Sequence, residues 1–309
     1  MDALSDDAGI SAAQAAGVHL TSPSRVVYPG QGLTKAELVA YYAAVAEQML
    51  PVIANRPLSL LRCPQGQAAP CFFQKHDTGG FPDNMKTMRI AEKDGDIESY
   101  FYIDDRAGLI AGTQMNVLEW HLWGSRIGDI EKPERVVFDI DPDEGLDFAK
   151  VRTAALDIGK ELGAWGLESY PMITGGKGIH VIAPLLPTTE WPEVKGFCKT
   201  FAQRLADREP ERFTATMSKA KRAGKLFIDY LRNERGATAI APWSPRARPG
   251  APVAVPLTWD ELHKVKSANQ FGLADAIVRA SKPNPWRDYF STTQSITKAM
   301  WSAVDGPKT

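Results

Sequence analysis

One short run constrains this chain more than any other: Val136-Val137-Phe138-Asp139-Ile140-Asp141-Pro142-Asp143. β-favouring apolar residues lead into two carboxylates spaced i, i+2, and in a strand that spacing puts both on one face. Two ionised Asp about 4 Å apart repel by roughly 4 kcal/mol at an effective dielectric of 20. A divalent cation between them removes the repulsion, so the pattern predicts a hard-metal site at a strand end. Taken alone, the same residues serve equally as a solvated turn, because Asp and Pro close strands. They do not make an EF-hand loop. Glu144 stands sixth, where Gly is needed, and Lys150 twelfth, where a bidentate Glu belongs.

Three further motifs bear on the choice. Thr174-Gly175-Gly176-Lys177-Gly178-Ile179-His180 has the composition of a phosphate cradle: glycines for close backbone approach, a Lys charge, a hydroxyl and an imidazole. It is neither a Walker A loop nor GxGxxG, and by itself a Gly-rich β-turn with a surface Lys describes it as well. In Leu226-Phe227-Ile228-Asp229-Tyr230-Leu231-Arg232-Asn233 one acid sits mid-strand, where Asp is rare unless paired. Its partner is a set of backbone donors, a metal, or an arginine, Arg232 or Arg235. Arg246 and Arg248, on a proline-stiffened segment, suit phosphate oxygens and also suit a solvated basic loop. Together the four motifs supply the parts for metal-assisted phosphoryl or nucleotidyl transfer.

The rest of the chain sets bounds. A net charge of -1 over 309 residues means that any nucleic acid must be gripped by local basic patches. Cys63, Cys71 and Cys198 are odd in number and lack CxxC spacing, which predicts reduced thiols and a cytoplasmic protein. No run of about 18 apolar residues is present to span a membrane. Residues 1–17 read as a flexible tail without a signal-peptide pattern, 18–300 as one domain with its catalytic part at about 110–250, and 301–309 as a tail or linker. Thr34-Lys35-Ala36-Glu37 is a capping box opening a helix to about Leu50. Helices are also expected over 148–162 and 191–208, and strands over 58–62, 99–103, 135–140, 169–173, 179–183 and 225–231. The interleaving predicts a mixed α+β class.

With these motifs in this order, the chain resembles the polymerase domain of bacterial ligase D, the non-homologous end-joining enzyme of the archaeo-eukaryotic primase superfamily. The likeness runs from about Val18 to Tyr289. Asp139 and Asp141 match the family's two-acid strand, Thr174 to His180 its Ser-Gly-Gly-Lys-Gly-x-His, Asp229 its third acid, and Arg246 and Arg248 its Arg-x-Arg. Thr174 replaces the usual Ser and keeps the hydroxyl. Leu20 to Pro29 matches the family's opening motif, with Ser22 where Asn is common.

The resemblance implies a primase-polymerase fold of two subdomains, mixed or antiparallel sheets with flanking helices around a central cleft. Asp139, Asp141 and Asp229 are then catalytic residues holding two divalent ions, Mn2+ or Mg2+. Thr174, Lys177, His180, Arg246, Arg248, Arg232, His121 and Arg62 would contact the nucleoside triphosphate or the template. Arg25 and Lys35, with Ser22, would grip the 5′-phosphate of a DNA end or gap. Phe72 and Phe73 would stack on template bases, although by sequence alone the Phe pair reads as core and His121 as a satisfied core histidine. The implied activity is gap filling and end extension with ribonucleotides preferred over deoxyribonucleotides. The implied partners are DNA ends, the Ku end-binding protein and a ligase domain, in the bacterial nucleoid. The chain would act as a monomer or as a pair across two DNA ends. Two other classes stay open from the residues: a metal-dependent nuclease or phosphodiesterase, and a non-catalytic DNA-end clamp.

Overall fold

The computed structural model describes residues 3–305 except 219 and 221. The chain divides into two compact units, each assembled from separate stretches. The first comprises Met1–Trp123, Ile240–Val255 and Phe271–Asn284; the second comprises Gly124–Ala239, Pro256–Gln270 and Pro285–Thr309.

In the first unit, helix α1 (Asp6–Ala15) precedes β1 (Val26–Tyr28), β2 (Leu33–Thr34) and α2 (Lys35–Ile53). The capping box at Thr34 forms as the sequence predicts: its Oγ1 accepts from Glu37 N while the Glu37 carboxylate accepts from Thr34 N. The loose tail expected over 1–17 is corrected, because residues 6–15 are helical. Ser5 caps α1, Asp6 accepts a hydrogen bond from the Thr34 hydroxyl, and Gly9 lies against the Ala36 backbone. A Cβ at Gly9 would sit 1.8 Å from the Ala36 carbonyl oxygen, so only glycine permits this approach.

Next come β3 (Leu58–Arg62), β4 (Phe72–Gln74), the hairpin β5 (Lys86–Ala91) and β6 (Ile97–Tyr102), helix α3 (Arg106–Gln114) and β7 (Val117–Leu122). Strand β3 pairs antiparallel with both β4 and β7. The β3–β4 connection brings Cys63 and Cys71 together as a disulfide with Cα atoms 4.4 Å apart. This overturns the expectation of three reduced thiols. Paired hairpin strands place residues at their facing ends side by side, whatever the cysteine spacing in sequence. Cys198 is the free cysteine, and burial pushes its thiol up.

In the second unit, β8 (Arg135–Pro142) leads to helix α4 (Phe148–Ala164), the strands β9 (Tyr170–Ile173) and β10 (Ile179–Pro184), helix α5 (Trp191–Arg208), and β11 (Phe213–Thr214) and β12 (Leu226–Asp229). Two short strands fall at the points where the chain passes from one unit to the other, β13 (Ala239–Ile240) and β14 (Val255–Pro256); helices α6 (Trp259–Leu262) and α8 (Lys298–Asp305) belong to the second unit and α7 (Leu273–Ala280) to the first. Strand β13 borders β7 in the order β13-β7-β3-β4, and the larger sheet runs β11-β12-β8-β10-β9-β14. Of the expected C-terminal tail 301–309, residues through Asp305 end α8, and 306–309 lie outside the described residues.

Strand β8 is central and antiparallel to β10 and β12. Its residues from Arg135 to Ile140 are all buried, which explains why the run is apolar without alternation. Phe138 packs its ring 4.8 Å from that of Phe201 on α5. The other face of the strand carries Asp139 and Asp141.

Candidate active site

Register puts the acids together. Asp139 is paired with Asp229 on β12 and with His180 on β10, forming one row across three strands. Directly paired residues point to the same face. Asp141 is two residues on and shares it. One carboxylate oxygen from each of Asp139, Asp141 and Asp229 lies within 4.8 Å of the others. Among the described residues this is the one cluster of at least three His, Cys, Asp or Glu side chains with such geometry.

Two side chains with nitrogen donors, Arg232 and His180, flank the acids. Arg232 spans two of them, with Nε 3.3 Å from Asp229 Oδ2 and its guanidinium 3.3 Å from Asp139 Oδ2. His180 Nε2 lies 3.4 Å from Asp139 Oδ1. Arg235 pairs elsewhere, with Glu131 at 2.8 Å. Asp229 is therefore an ion-pair partner of Arg232, accepts a backbone hydrogen bond from Leu231 N at 2.8 Å, and belongs to the three-acid cluster.

Burial alone would raise Asp139, but His180 and Arg232 overcome it and hold the carboxyl below its ordinary range. Asp141 is pushed up to about 6 by burial and by the Asp139 charge. Burial also raises Asp229, against the pull of Arg232. Burial would lower Arg232, yet the three carboxylates keep it above its usual value. Among the described residues Arg232 is the one guanidinium paired with these three acids, and their donors are hard oxygens. The set suits a hard divalent cation.

The Thr174–Gly178 hairpin joins β9 to β10 directly over these acids. A Cβ on Gly178 would stand 2.6 Å from Ile140 O and 3.4 Å from Oδ1 of both Asp139 and Asp141. Gly175 takes a positive φ of 66° that favours glycine. Thr174 is buried and its hydroxyl closes the turn, donating to Gly178 O at 3.0 Å and accepting from Gly176 N at 3.3 Å. The Gly175 amide donates to Ala268 O at 2.9 Å. Two amides of the expected phosphate cradle thus have internal acceptors, and Lys177 at the exposed tip remains its charged group.

The remaining candidates lie in the first unit. Glu119, on β7, is the buried carboxylate that the sequence reading passed over. It accepts from Arg246 Nε at 3.0 Å and Ala247 N at 2.7 Å, and meets His121 Nε2 at 2.9 Å. Burial would raise it; the hydrogen bond from His121, the Arg246 charge and the Ala247 amide bring it down to about 2. The available signal was the one that marked Asp229, an acid inside an apolar strand, Val117-Leu118-Glu119-Trp120. Arg248 is exposed. His121 also meets the Phe73 ring edge-on at 5.1 Å.

Phe72 and Phe73 are 46% and 60% exposed, so they are not core. Arg62 stacks over Phe72 at 5.6 Å and donates to Met115 O and Gln74 Oε1. Lys35 is buried: its Nζ reaches Thr21 O at 2.9 Å and the backbone and side-chain oxygens of Gln114 at 3.2 and 3.4 Å. Burial and the Arg25 charge lower it to about 8. Arg25 is exposed and donates to Pro64 O at 2.9 Å. Ser22 is exposed with φ 49°, a left-handed conformation that Asn adopts more readily than Ser.

Comparison with known proteins agrees with this geometry. Residues 34–286 match the family model described as LigD, primase-polymerase domain. The multifunctional non-homologous end joining protein LigD of Pseudomonas aeruginosa is 36% identical over 300 residues, 95% of this chain and 35% of that protein. The bifunctional LigD of Bacillus subtilis is 29% identical over 279 residues, 90% of this chain and 45% of that protein. The chain thus spans between a third and a half of the length of these relatives. The polymerase domain of Mycobacterium tuberculosis ligase D, solved in complex with DNA, superposes with a TM-score of 0.83 at 33% identity, covering 89% of this chain and 98% of that one. The paired-strand acids, the Gly-Lys-Gly hairpin and these matches make this chain a member of the LigD primase-polymerase family, a nucleotidyltransferase of α+β fold.

Proposed function

We propose that this chain is the polymerase of a DNA end-joining system, adding nucleotides to a primer 3′-hydroxyl at DNA ends and gaps. The observation that carries the proposal is the convergence of Asp139, Asp141 and Asp229 within 4.8 Å beneath the Gly178 turn. The three acids would hold two divalent ions, Mn2+ or Mg2+. Such ions lower the pKa of an attacking hydroxyl and neutralise the triphosphate and leaving pyrophosphate.

The chain's own groups have distinct tasks. His180 and Arg232 keep Asp139 ionised and ready as a ligand. Lys177, at the hairpin tip, is proposed as a nucleotide contact; the family resemblance gives the same role to Arg246, whose guanidinium Glu119 fixes, and to Arg248 and His121. Exposed Phe72 and Phe73 offer faces for stacking on template bases, with Arg62 bracing Phe72. Arg25 and Lys35, beside Ser22, are the proposed grip on a 5′-phosphate. Arg25 is the open member of that group, whereas Lys35 must exchange a carbonyl contact to reach it.

Preference for ribonucleotides, action with Ku and a ligase domain, and residence at the nucleoid belong to the same reading. Among the described residues no helix is long and apolar enough to cross a membrane. The family match disfavours a nuclease or a non-catalytic clamp. Replacing Asp139 with Ala and assaying extension of a labelled, gapped primer with Mn2+ and nucleoside triphosphates tests the proposal. We expect at least a hundredfold loss of extension. Undiminished extension, or a wild-type protein that shortens the primer, would refute it.

A further inference from the structure

We infer that Asn233 is a positioning residue that fixes Asp139 opposite Asp229, so that the acid cluster is assembled before any cation binds. This rests on the polymerase reading of the same site and names the part of the fold that holds it in register.

The argument begins where β12 stops. The ladder pairs Leu226 with Pro142, Phe227 with Asp141, Ile228 with Ile140 and Asp229 with Asp139. The next pair on the same side would set residue 231 against Val137. It does not form, because the chain leaves the strand at Asp229 and enters a 3-10 turn over Leu231–Asn233. Residues two apart on a strand send their N–H and C=O groups to the same side. Val137 therefore faces the gap left by β12 with a buried donor and a buried acceptor.

Asn233 fills that gap. Its Oδ1 accepts from Val137 N at 2.7 Å, and its Nδ2 donates to Val137 O at 2.8 Å. The carboxamide thereby imitates one more residue of β12. Nδ2 also donates to Tyr230 O at 2.9 Å, which ties the clamp to the turn itself. The side chain is 1% exposed, so water cannot take over these bonds. The amide orientation is forced, because exchanging O and N would oppose two donors at Val137 N and two acceptors at Val137 O.

The consequence reaches the acids through the covalent chain. Asp139 is two residues from the clamped Val137, and Asp229 is four residues before Asn233. The backbone between is itself tied down: Leu231 N donates to Asp229 Oδ1 at 2.8 Å, and Arg232 spans Asp229 and Asp139. Asp139 is thus held from both directions, by the β12 ladder on one side and by Asn233 on the other. Metal ligands tolerate displacements of only about 0.2 Å, so a frayed turn would be felt at the site first. Asn233 closes the sequence motif that carries Asp229, and its ladder-completing bonds give that position a physical role.

The test uses the full chain with Asn233→Leu, a side chain of similar shape without polar groups, and Asn233→Ser, which is smaller but keeps one hydroxyl. Mn2+ affinity is read from the electron paramagnetic resonance signal of free Mn2+, at a temperature where unfolding curves show each variant more than 95% folded. We expect at least a tenfold weaker Mn2+ affinity in Asn233→Leu and an intermediate loss in Asn233→Ser. In primer extension kcat should fall while KM for the nucleotide stays within twofold. Mn2+ affinity within twofold of wild type in the folded variants overturns the inference; if the Leu variant does not fold, the Ser variant decides. Asp139→Ala, measured in parallel, separates the two readings. If it too binds Mn2+ normally, the metal-site reading has failed; if it alone loses Mn2+, only the role of Asn233 has.

Discussion

Glu119→Gln turns the electrostatics of the first unit into a measurement. In the folded chain the carboxyl sits at about 2, against 4.5 for an unperturbed Glu. Its side chain is only 4% exposed, so solvent screening is slight. A gap of about 2.5 units corresponds to roughly 3 kcal/mol of stability, good to about a factor of two. The sign follows from the depressed folded value: the contribution is complete above pH 4.5 and is lost as pH falls toward 2. At pH 3.5 about 1.4 kcal/mol should already be gone. Gln keeps an acceptor for Ala247 N but cannot titrate, and it weakens the grip on Arg246. Urea unfolding of wild type and Glu119→Gln at pH 7, 5 and 3.5 reads the difference directly. The variant should be less stable at pH 7, and the gap should shrink by about 1–2 kcal/mol between pH 5 and 3.5. KM for the nucleotide should also rise, since Arg246 loses its charged anchor. A stability gap that stays constant across this pH range would refute the linkage, whatever the kinetics do.

Gly178→Ala should cost about 1–3 kcal/mol by overpacking and weaken Mn2+ binding at least tenfold, because the new Cβ meets Ile140 O at 2.6 Å. Calorimetric Mn2+ titration checks this, and unchanged affinity would contradict the close approach. Phe73→Ala should leave stability within about 0.5 kcal/mol, since the ring is 60% exposed, yet lower primer-template affinity by about 1–3 kcal/mol. Equal binding by filter or anisotropy assay would remove the stacking role. Cys71→Ser should cost about 2–3 kcal/mol in urea, the loop-closure value for residues eight apart. No change between oxidised wild type and variant would show that the cross-link does not constrain the unfolded chain.

Which parts of this were legible beforehand follows from where the controlling interactions lie. Helix α2 and its cap are local, with every bond within four residues, and the sequence predicts both. Strand β8 and its acids are local in the same sense, since alternation along one strand decides which side chains share a face. Helix α1 was not legible: its apolar content is small, and it is secured by Gly9 against Ala36, a contact between segments that no periodicity records. The disulfide needed the hairpin to bring residues 63 and 71 together. Phe72 and Phe73 read as core because hydrophobicity speaks for burial, and their exposure is decided by a three-residue strand at a sheet edge. Asn233 and Glu119 were invisible as contributors because each acts on a backbone or an arginine far away in sequence, 96 and 127 residues off.

The acids themselves supply part of the reason this register forms at all. Slide β12 by one residue against β8, and Asp229 turns to the face where Phe138 meets Phe201. There it would find neither Arg232 in the same geometry nor His180, and an unpaired buried carboxylate costs several kcal/mol even after relaxation. The same slip would leave Asn233 unable to reach both polar groups of Val137, adding about 1–3 kcal/mol for each one stranded. The native register is therefore the one in which Asp139, Asp229 and Asn233 all find their partners. Burial and the repulsion among the three carboxylates work against that arrangement, and together they push Asp141 up to about 6. Arg232 offsets part of the repulsion, and a bound cation would offset the remainder. Metal binding and correct strand pairing should then be thermodynamically linked, with Mn2+ raising the unfolding temperature of the wild type and not of Asp139→Ala.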